Sequence, residues 1–172
     1  MTFSNIPPGD YQFNIGQASQ GFVIQGVPRE NGAGLYIKSV RFSREDALGT
    51  FHVSSDTSNV VLEVVLTAGT GSVSGTALGR AGDPAASVTV VLVPTTARKR
   101  TALYQAVVTG SDGKFGFQEV PPGDYKLFAW DDVETGAWEN AEFISVYESR
   151  GRSLRVSENS KDDVSLNVIY NP

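Results

Sequence analysis

One short phrase occurs twice in this chain, and it limits how the chain can fold. Residues 6–11 read IPPGDY, and residues 120–125 read VPPGDY. Proline fixes φ and lacks a backbone donor, while glycine accepts conformations that other residues avoid, so the phrase predicts a turn that leads into a strand. We expect the same turn in both copies, with each glycine in a backbone conformation that other residues resist. The predicted turn residues are Pro7, Pro8 and Gly9 in the first copy, and Pro121, Pro122 and Gly123 in the second.

The two copies stand at different places within a longer repeat. Three strand-like segments, starting at Gly71, precede the second copy, whereas almost nothing precedes the first. Further along, VVLEVVL from Val60 aligns with DVSLNVI from Asp163, and a Gly/Thr/Ser-rich stretch, TAGTGSVSG, separates the repeats. We therefore expect residues 1–68 to form a partial repeat and residues 69–172 a complete one. The partial repeat should lean on the complete one or borrow strands from another molecule, because a half-sandwich leaves an uncovered face.

The second repeat has the alternation of an all-β domain. Segments such as GSVSGTAL and VTVVLVP are short and rich in β-branched residues, and Asp112-Gly113 is typical of a hairpin turn. Period-two spacing places the odd residues of YKLFAW on one face of a strand and Lys126, Phe128 and Trp130 on the other. We predict an antiparallel, immunoglobulin-like or prealbumin-like β-sandwich of about seven strands. Its expected core includes Phe115, Phe117, Val120, Tyr125 and Leu127.

One segment breaks the strand rhythm. In NAEFISVYESRG, Asn140 can cap a helix, Gly151 can follow its end, and Phe143, Val146 and Tyr147 have helical spacing. We predict one short amphipathic helix whose apolar stripe covers an end of a sheet. A stripe that binds a partner is the alternative.

The motifs of the second repeat resemble a known family. SDGKFGFQEVPPGDYKLFAW, with GSVSG, VTVVLVP and DVSLNVI, is similar to the carboxypeptidase regulatory-like domains of bacterial surface proteins. The resemblance covers residues 71–169, and residues 1–68 resemble only the second half of another copy. It implies a transthyretin-like or prealbumin-like sandwich without catalytic activity, located outside the cytoplasm as a secreted, periplasmic or cell-surface protein. The implied role is that of a spacer, stabiliser or adhesion module, with neighbouring repeats of a larger exported bacterial protein as its partners.

Charge and composition exclude several classes of partner. The net charge is −5 and the pI is about 4.8, whereas nucleic acids and anionic membranes require a basic surface. The basic cluster Arg98–Arg100 is typical of a solvated loop tip. No apolar run is long enough to span a bilayer, so we expect no membrane insertion.

The sequence also argues against catalysis, so we expect no enzyme activity and no catalytic, cofactor or metal site. There is no cysteine, and the single histidine, His52, lies in the strand-like TFHVSS, where a half-exposed sheet residue is expected. The serines belong to no nucleophile motif, and the acidic residues lack the spacing of a calcium loop.

One segment suggests an alternative function. Two tryptophans flank an acidic loop, and exposed rings could stack on sugars while the acids accept hydroxyl hydrogen bonds. The alternative is therefore a carbohydrate-binding module, with polysaccharide or another protein as a partner. On the other interpretation, Trp138 packs beneath the predicted helix. The candidate ligand residues are Trp130, Asp131, Asp132, Glu134 and Trp138.

Overall fold

The computed structural model describes residues 6–11, 34–56 and 60–170. The chain is mostly β-structure, with one short α-helix among the described residues. It divides into two compact units: a first unit, Met1–Asn31 with Leu35–Ala68, and a second unit, Gly32–Gly34 with Gly69–Pro172. None of the described helices has the length and hydropathy needed to cross a bilayer.

The described part of the first unit has two small antiparallel sheets. The strands are β1 (Gly9–Tyr11), β2 (Leu35–Phe42), β3 (Glu45–Asp46), β4 (Phe51–Val53) and β5 (Leu62–Ala68). One sheet pairs β1 with β4, and the other has the order β3-β2-β5. Ile37, Val40 and Ala47 are buried, with partly buried aromatic and aliphatic residues around them.

The second unit is a seven-stranded β-sandwich, as predicted. The strands are β6 (Gly71–Leu78), β7 (Thr89–Pro94), β8 (Gln105–Val108), β9 (Lys114–Val120), β10 (Gly123–Trp130), β11 (Arg152–Val156) and β12 (Lys161–Asn167). A four-stranded sheet has the order β11-β10-β7-β8, and a three-stranded sheet has the order β12-β6-β9. The predicted core residues are all buried between the sheets, because alternate residues of each strand point to the same face.

One strand pair runs parallel, whereas every other described pair of strands is antiparallel; a single parallel bridge also joins Trp130 and Ile169. The last strand, β12, lies beside the first strand of the unit, β6, in the same direction and over seven residue pairs. The strand before it, β11, belongs to the opposite sheet, so the chain crosses between sheets before β12 starts. This crossing frees β12 from the antiparallel direction that a tight hairpin would impose.

Asp112-Gly113 is not a hairpin turn. The flanking strands, β8 and β9, belong to different sheets, so the turn is a crossover between the two layers. Gly113 has a φ of +71°, and a Cβ there would lie 2.8 Å from the backbone nitrogen of Ala85. The turn therefore requires glycine, but local sequence does not determine which strands it joins.

The alignment of VVLEVVL with DVSLNVI is wrong by an odd number of residues. It pairs Leu62 with Ser165, yet Leu62 packs against the core of the first unit while Ser165 is exposed. The inward-facing residues of β12 are instead Val164 and Leu166. A one-residue slip inverts the faces of a strand, so Leu62 corresponds in orientation to Val164.

A helix adds a third layer to the second unit. The helix α1 (Ala141–Tyr147) begins at Asn140, whose side chain accepts hydrogen bonds from the backbone nitrogens of Glu142 (2.8 Å) and Phe143 (3.3 Å). Ile144 and Phe143 pack against Phe128 and Trp130 on the outer face of the four-stranded sheet. The prediction that the helix covers an end of a sheet is therefore wrong, because it covers a face of the sheet.

The predicted apolar stripe of the helix also needs correction. Val146 is 73% exposed, and Ile144, which the predicted stripe omitted, is buried. Gly151 follows the helical segment, and a Cβ there would lie 2.6 Å from the Phe128 ring. Glycine thus allows the chain to return closely over the sheet.

Candidate functional site

The repeated phrase forms a corner closed by its tyrosine. The Tyr11 hydroxyl donates to the Pro7 carbonyl oxygen at 2.8 Å, and the Tyr125 hydroxyl donates to the Pro121 carbonyl oxygen at 2.9 Å. In both copies the acceptor lies four residues before the tyrosine. This arrangement is a tyrosine corner, a feature of Greek-key sandwiches in which a strand is fastened to the chain that leads into it.

The predicted glycine conformation occurs in one of the two corners. Gly123 is not among the residues with positive φ, so the prediction is wrong there, whereas Gly9 has a φ of 159°, at the edge of the range that other residues rarely adopt. A Cβ at Gly123 would instead lie 3.3 Å from the Tyr125 ring, while a Cβ at Gly9 would lie at an ordinary contact distance of 3.7 Å from the Tyr11 ring. Crowding by the tyrosine ring therefore favours glycine in the second corner, and the backbone conformation favours it in the first.

The strand beside each corner has the same register in the two units. In each, the aspartate of PPGDY lies directly opposite a basic residue: Asp10 opposite His52, and Asp124 opposite Arg155. His52 Nδ1 is 2.9 Å from Asp10 Oδ1, and Arg155 Nε is 3.9 Å from Asp124 Oδ1. The two units thus share a tyrosine corner, a strand register and a cross-strand acid–base pair.

His52 is the counterpart of Arg155 in the sheet of the first unit. Its side chain is 65% exposed on β4, as expected for a half-exposed strand residue. Arginine occupies the equivalent position in the second unit. Because arginine stays protonated in proteins, the two positions do not share the role of a general base. A shallow hollow of about 350 Å³ lies beside His52, lined by Phe42, Glu45, Asp46 and other residues. Within residues 6–11, 34–56 and 60–170, no three acidic or histidine side chains are arranged to hold a metal ion.

The two tryptophans lie inside the molecule. Trp130 is fully buried and Trp138 is 8% exposed, in the cluster between the four-stranded sheet and the helix. Trp130 stacks on Phe128 at 5.1 Å and meets Tyr147 edge-on at 5.6 Å. Neither ring offers a face to a sugar, so the prediction that both rings are exposed for sugar stacking was wrong. The interpretation that Trp138 packs beneath the helix is confirmed. The local sequence is loop-like, but α1 folds back over it and covers both rings.

The acidic residues between the tryptophans stay at the surface. Asp131, Asp132 and Glu134 are exposed, and the Asp131 carboxylate accepts a hydrogen bond from the Asp132 backbone nitrogen at 2.9 Å. The structure therefore separates the five candidate ligand residues into two buried rings and three surface acids. The surface acids alone lack the apolar surface on which a sugar ring could stack.

An ion cluster that the sequence did not indicate fastens the helical segment to the sheet. Glu148 lies 2.7 Å from Lys126 Nζ and 3.1 Å from Arg98 Nη2, and Lys126 also donates to the Glu148 carbonyl oxygen at 2.9 Å. The hydrogen bond from Lys126, and then that from Arg98, lowers the pKa of Glu148 from its usual range. Arg98 is consequently half-buried and bridged, so the expectation of a solvated basic loop tip is wrong for this residue.

No protein-family model and no curated protein match the chain. Among solved structures, the TIE protein of Bacillus anthracis is 11% identical over 69% of this chain and 20% of that chain, with a TM-score of 0.39. The minor pilin GBS52 of Streptococcus agalactiae is 15% identical over 84% and 64% of the two chains, with a TM-score of 0.39. BcpA, the major pilin subunit of Bacillus cereus, is 13% identical over 77% and 55%, with a TM-score of 0.38.

This chain spans about a fifth of the first of these proteins and less than two thirds of the other two. Because the identities and TM-scores are this low, the fold of this chain is defined by its own strand pairing. That pairing gives a β-sandwich with a helix on one outer face.

Proposed function

We propose that this chain is a non-catalytic structural module, a spacer or adhesion-type β-sandwich of a larger exported bacterial protein. Residues 69–172 would be a complete carboxypeptidase regulatory-like repeat, and residues 1–68 the C-terminal half of another. The observation that carries the proposal is the repetition of the tyrosine corner, the strand register and the Asp–base pair in both units. In repeat proteins each unit contacts its neighbours along the chain, so a repeated unit is compatible with an extended structural role.

The polar groups of the second unit are consistent with this role. The Glu148 cluster joins the helical segment to the sheet, and both tryptophans contribute to packing. These side chains stabilise the fold, and none converges on a cleft. Neighbouring repeats of the parent protein are the proposed partners, in an extracytoplasmic location.

A chain lengthened upstream tests the repeat assignment. Residues 71–119 would be copied and joined directly before Ile6, which on this proposal completes the first repeat with leading strands. Scanning calorimetry should then show the first unit melting at a higher temperature than in the original chain, because on this proposal the added strands would cover the apolar face of a half-sandwich. A scrambled segment of the same composition is the control. Equal melting with the native and scrambled segments would contradict the assignment.

A glycan array separates the spacer from the carbohydrate-binding module. The full chain should give no signal above that of an unrelated β-sandwich. Reproducible binding that is lost in an Asp132→Asn variant would replace the spacer by a binding module that uses the surface acids.

A further inference from the structure

The parallel pair of the second unit joins its first strand to its last. Seven consecutive residue pairs connect β6 and β12, from Ser72–Lys161 to Leu78–Asn167. Backbone hydrogen bonds close both ends of this ladder: Ser72 N donates to Ser160 O at 2.9 Å, and Val168 N donates to Leu78 O at 2.9 Å. The chain therefore enters the unit at one end of the ladder and leaves it at the other.

This geometry determines how the unit responds to tension. If the start of β6 and the end of β12 are pulled apart, the two strands must slide past each other along their length. The ladder hydrogen bonds of a parallel pair are slanted but evenly spaced, and they all run across the direction of that force, so they are loaded together. In an antiparallel pair pulled from the same end, the bonds would instead break one after another.

The end of β12 is held by further contacts. Beyond the ladder, Ile169 N donates to Ala129 O at 2.7 Å, and Asp131 N donates to Ile169 O at 3.2 Å, so the chain is fastened to the four-stranded sheet as well. Ile169 is 2% exposed, within the cluster beneath the helix. Force that arrives from residue 170 therefore meets both sheets before it can peel β12 away.

We propose that the β6–β12 pair is a mechanical clamp that lets the second unit carry tension between its two ends. The inference rests on the proposed structural role and adds to it the capacity to withstand tension. The clamp consists of the parallel ladder and the Ile169 bonds to the opposite sheet.

Single-molecule force spectroscopy on the full chain tests the clamp. The chain has no cysteine, so handles can be attached at chosen positions. One molecule would carry Thr70→Cys and a cysteine added after Pro172, which loads the clamp in shear. A second would carry Thr70→Cys and Gln118→Cys, which lie at the same end of the antiparallel β6–β9 pair and load it as a zipper.

We expect a rupture force several times higher in shear than in the zipper arrangement. The shear event should release roughly 300 Å of chain, as expected for the whole second unit. Equal forces in the two arrangements, with circular dichroism showing folded protein, would overturn the clamp and leave the spacer role standing. Sugar binding on the glycan array would overturn the spacer role without affecting the forces.

A matched pair of proline variants locates the resistance. Val168 N donates a hydrogen bond to β6. In a parallel pair, alternate residues of a strand form hydrogen bonds with the partner strand, so Val164 N faces β6 and Ser165 N faces away from it. Val164→Pro should lower the shear force, while Ser165→Pro, on the free side of an edge strand, should change it little. Unchanged shear force in a folded Val164→Pro chain would also overturn the clamp.

Discussion

Gly75 lies at the middle of the β6–β12 ladder, where the structure leaves no room for a side chain. A Cβ at this position would overlap the carbonyl oxygen of Val164, its partner on β12, and would lie 2.7 Å from the Phe115 ring. The ring could turn aside, but the oxygen belongs to the backbone of the neighbouring strand. Gly75→Ala therefore requires the two strands to separate.

The expected cost follows from overpacking a site that cannot expand freely. Such substitutions destabilise proteins by about 1–3 kcal/mol. For a domain of this size, that corresponds to a fall in melting temperature of about 5–20 °C. Gly116→Ala is the matched control: Gly116 lies on β9 in the same sheet, and no atom lies within 4 Å of its would-be Cβ. This variant should be neutral, or more stable by up to about 1 kcal/mol, because alanine restricts the unfolded chain.

Tryptophan fluorescence in the full chain is the appropriate assay. Both tryptophans, Trp130 and Trp138, belong to the second unit, so the signal reports its unfolding alone. Thermal and urea melts of the two variants would be compared with the unmodified chain. If Gly75→Ala melts at the same temperature as Gly116→Ala, the close approach of β6 and β12 is wrong.

Three further predictions concern single side chains. Tyr125→Phe should cost about 1–2 kcal/mol, because the Pro121 oxygen loses its donor. Burial also raises the pKa of Tyr125 to about 12, above its value in the unfolded chain. The stability that the protonated hydroxyl contributes is therefore complete below pH ~10 and is lost as the pH rises toward 12. Melts at alkaline pH should show this loss of stability in the original chain and a smaller loss in the Tyr125→Phe variant. Glu148→Gln should destabilise the second unit at neutral pH and flatten the acid limb of its stability profile. The lowered pKa of Glu148 means that its contribution is present above pH ~4.3 and is lost as the pH falls, so an unchanged acid limb would contradict the role of the cluster. Trp138→Ala should cost about 3–5 kcal/mol, as for a core tryptophan, and urea titration would detect it; a change below about 0.5 kcal/mol would mean that the ring is exposed in solution.

Local patterns predicted those features that depend on neighbouring residues in the chain. Phe115 and Phe117 share the core face because side chains alternate along a strand, whatever the strand pairs with. The Asn140 cap was likewise predictable, since its acceptor bonds reach only two and three residues ahead. The repeated phrase predicted equivalent corners, but the tyrosine hydrogen bond that closes them requires the three-dimensional return of the strand.

Features that depend on distant pairing were not accessible from the sequence. The Asp112-Gly113 turn looks the same whether it joins paired strands or crosses between sheets. The parallel direction of β12 follows from its partner, almost ninety residues earlier in the chain. Trp130 and Trp138 stand in an acidic, loop-like segment, and only the position of α1 over the outer sheet face shows that both rings are covered.

The parallel arrangement of β6 and β12 also affects how far such a unit could reach. Because the two strands run in the same direction, the chain leaves the second unit at the end opposite to the one where it begins. Seven residues of β-strand rise about 23 Å, so each such unit in a series would add roughly that length along the chain direction. An antiparallel pair of first and last strands would bring the chain back to its starting end. The distance between the segments that flank a series of such repeats would then barely grow with the number of repeats.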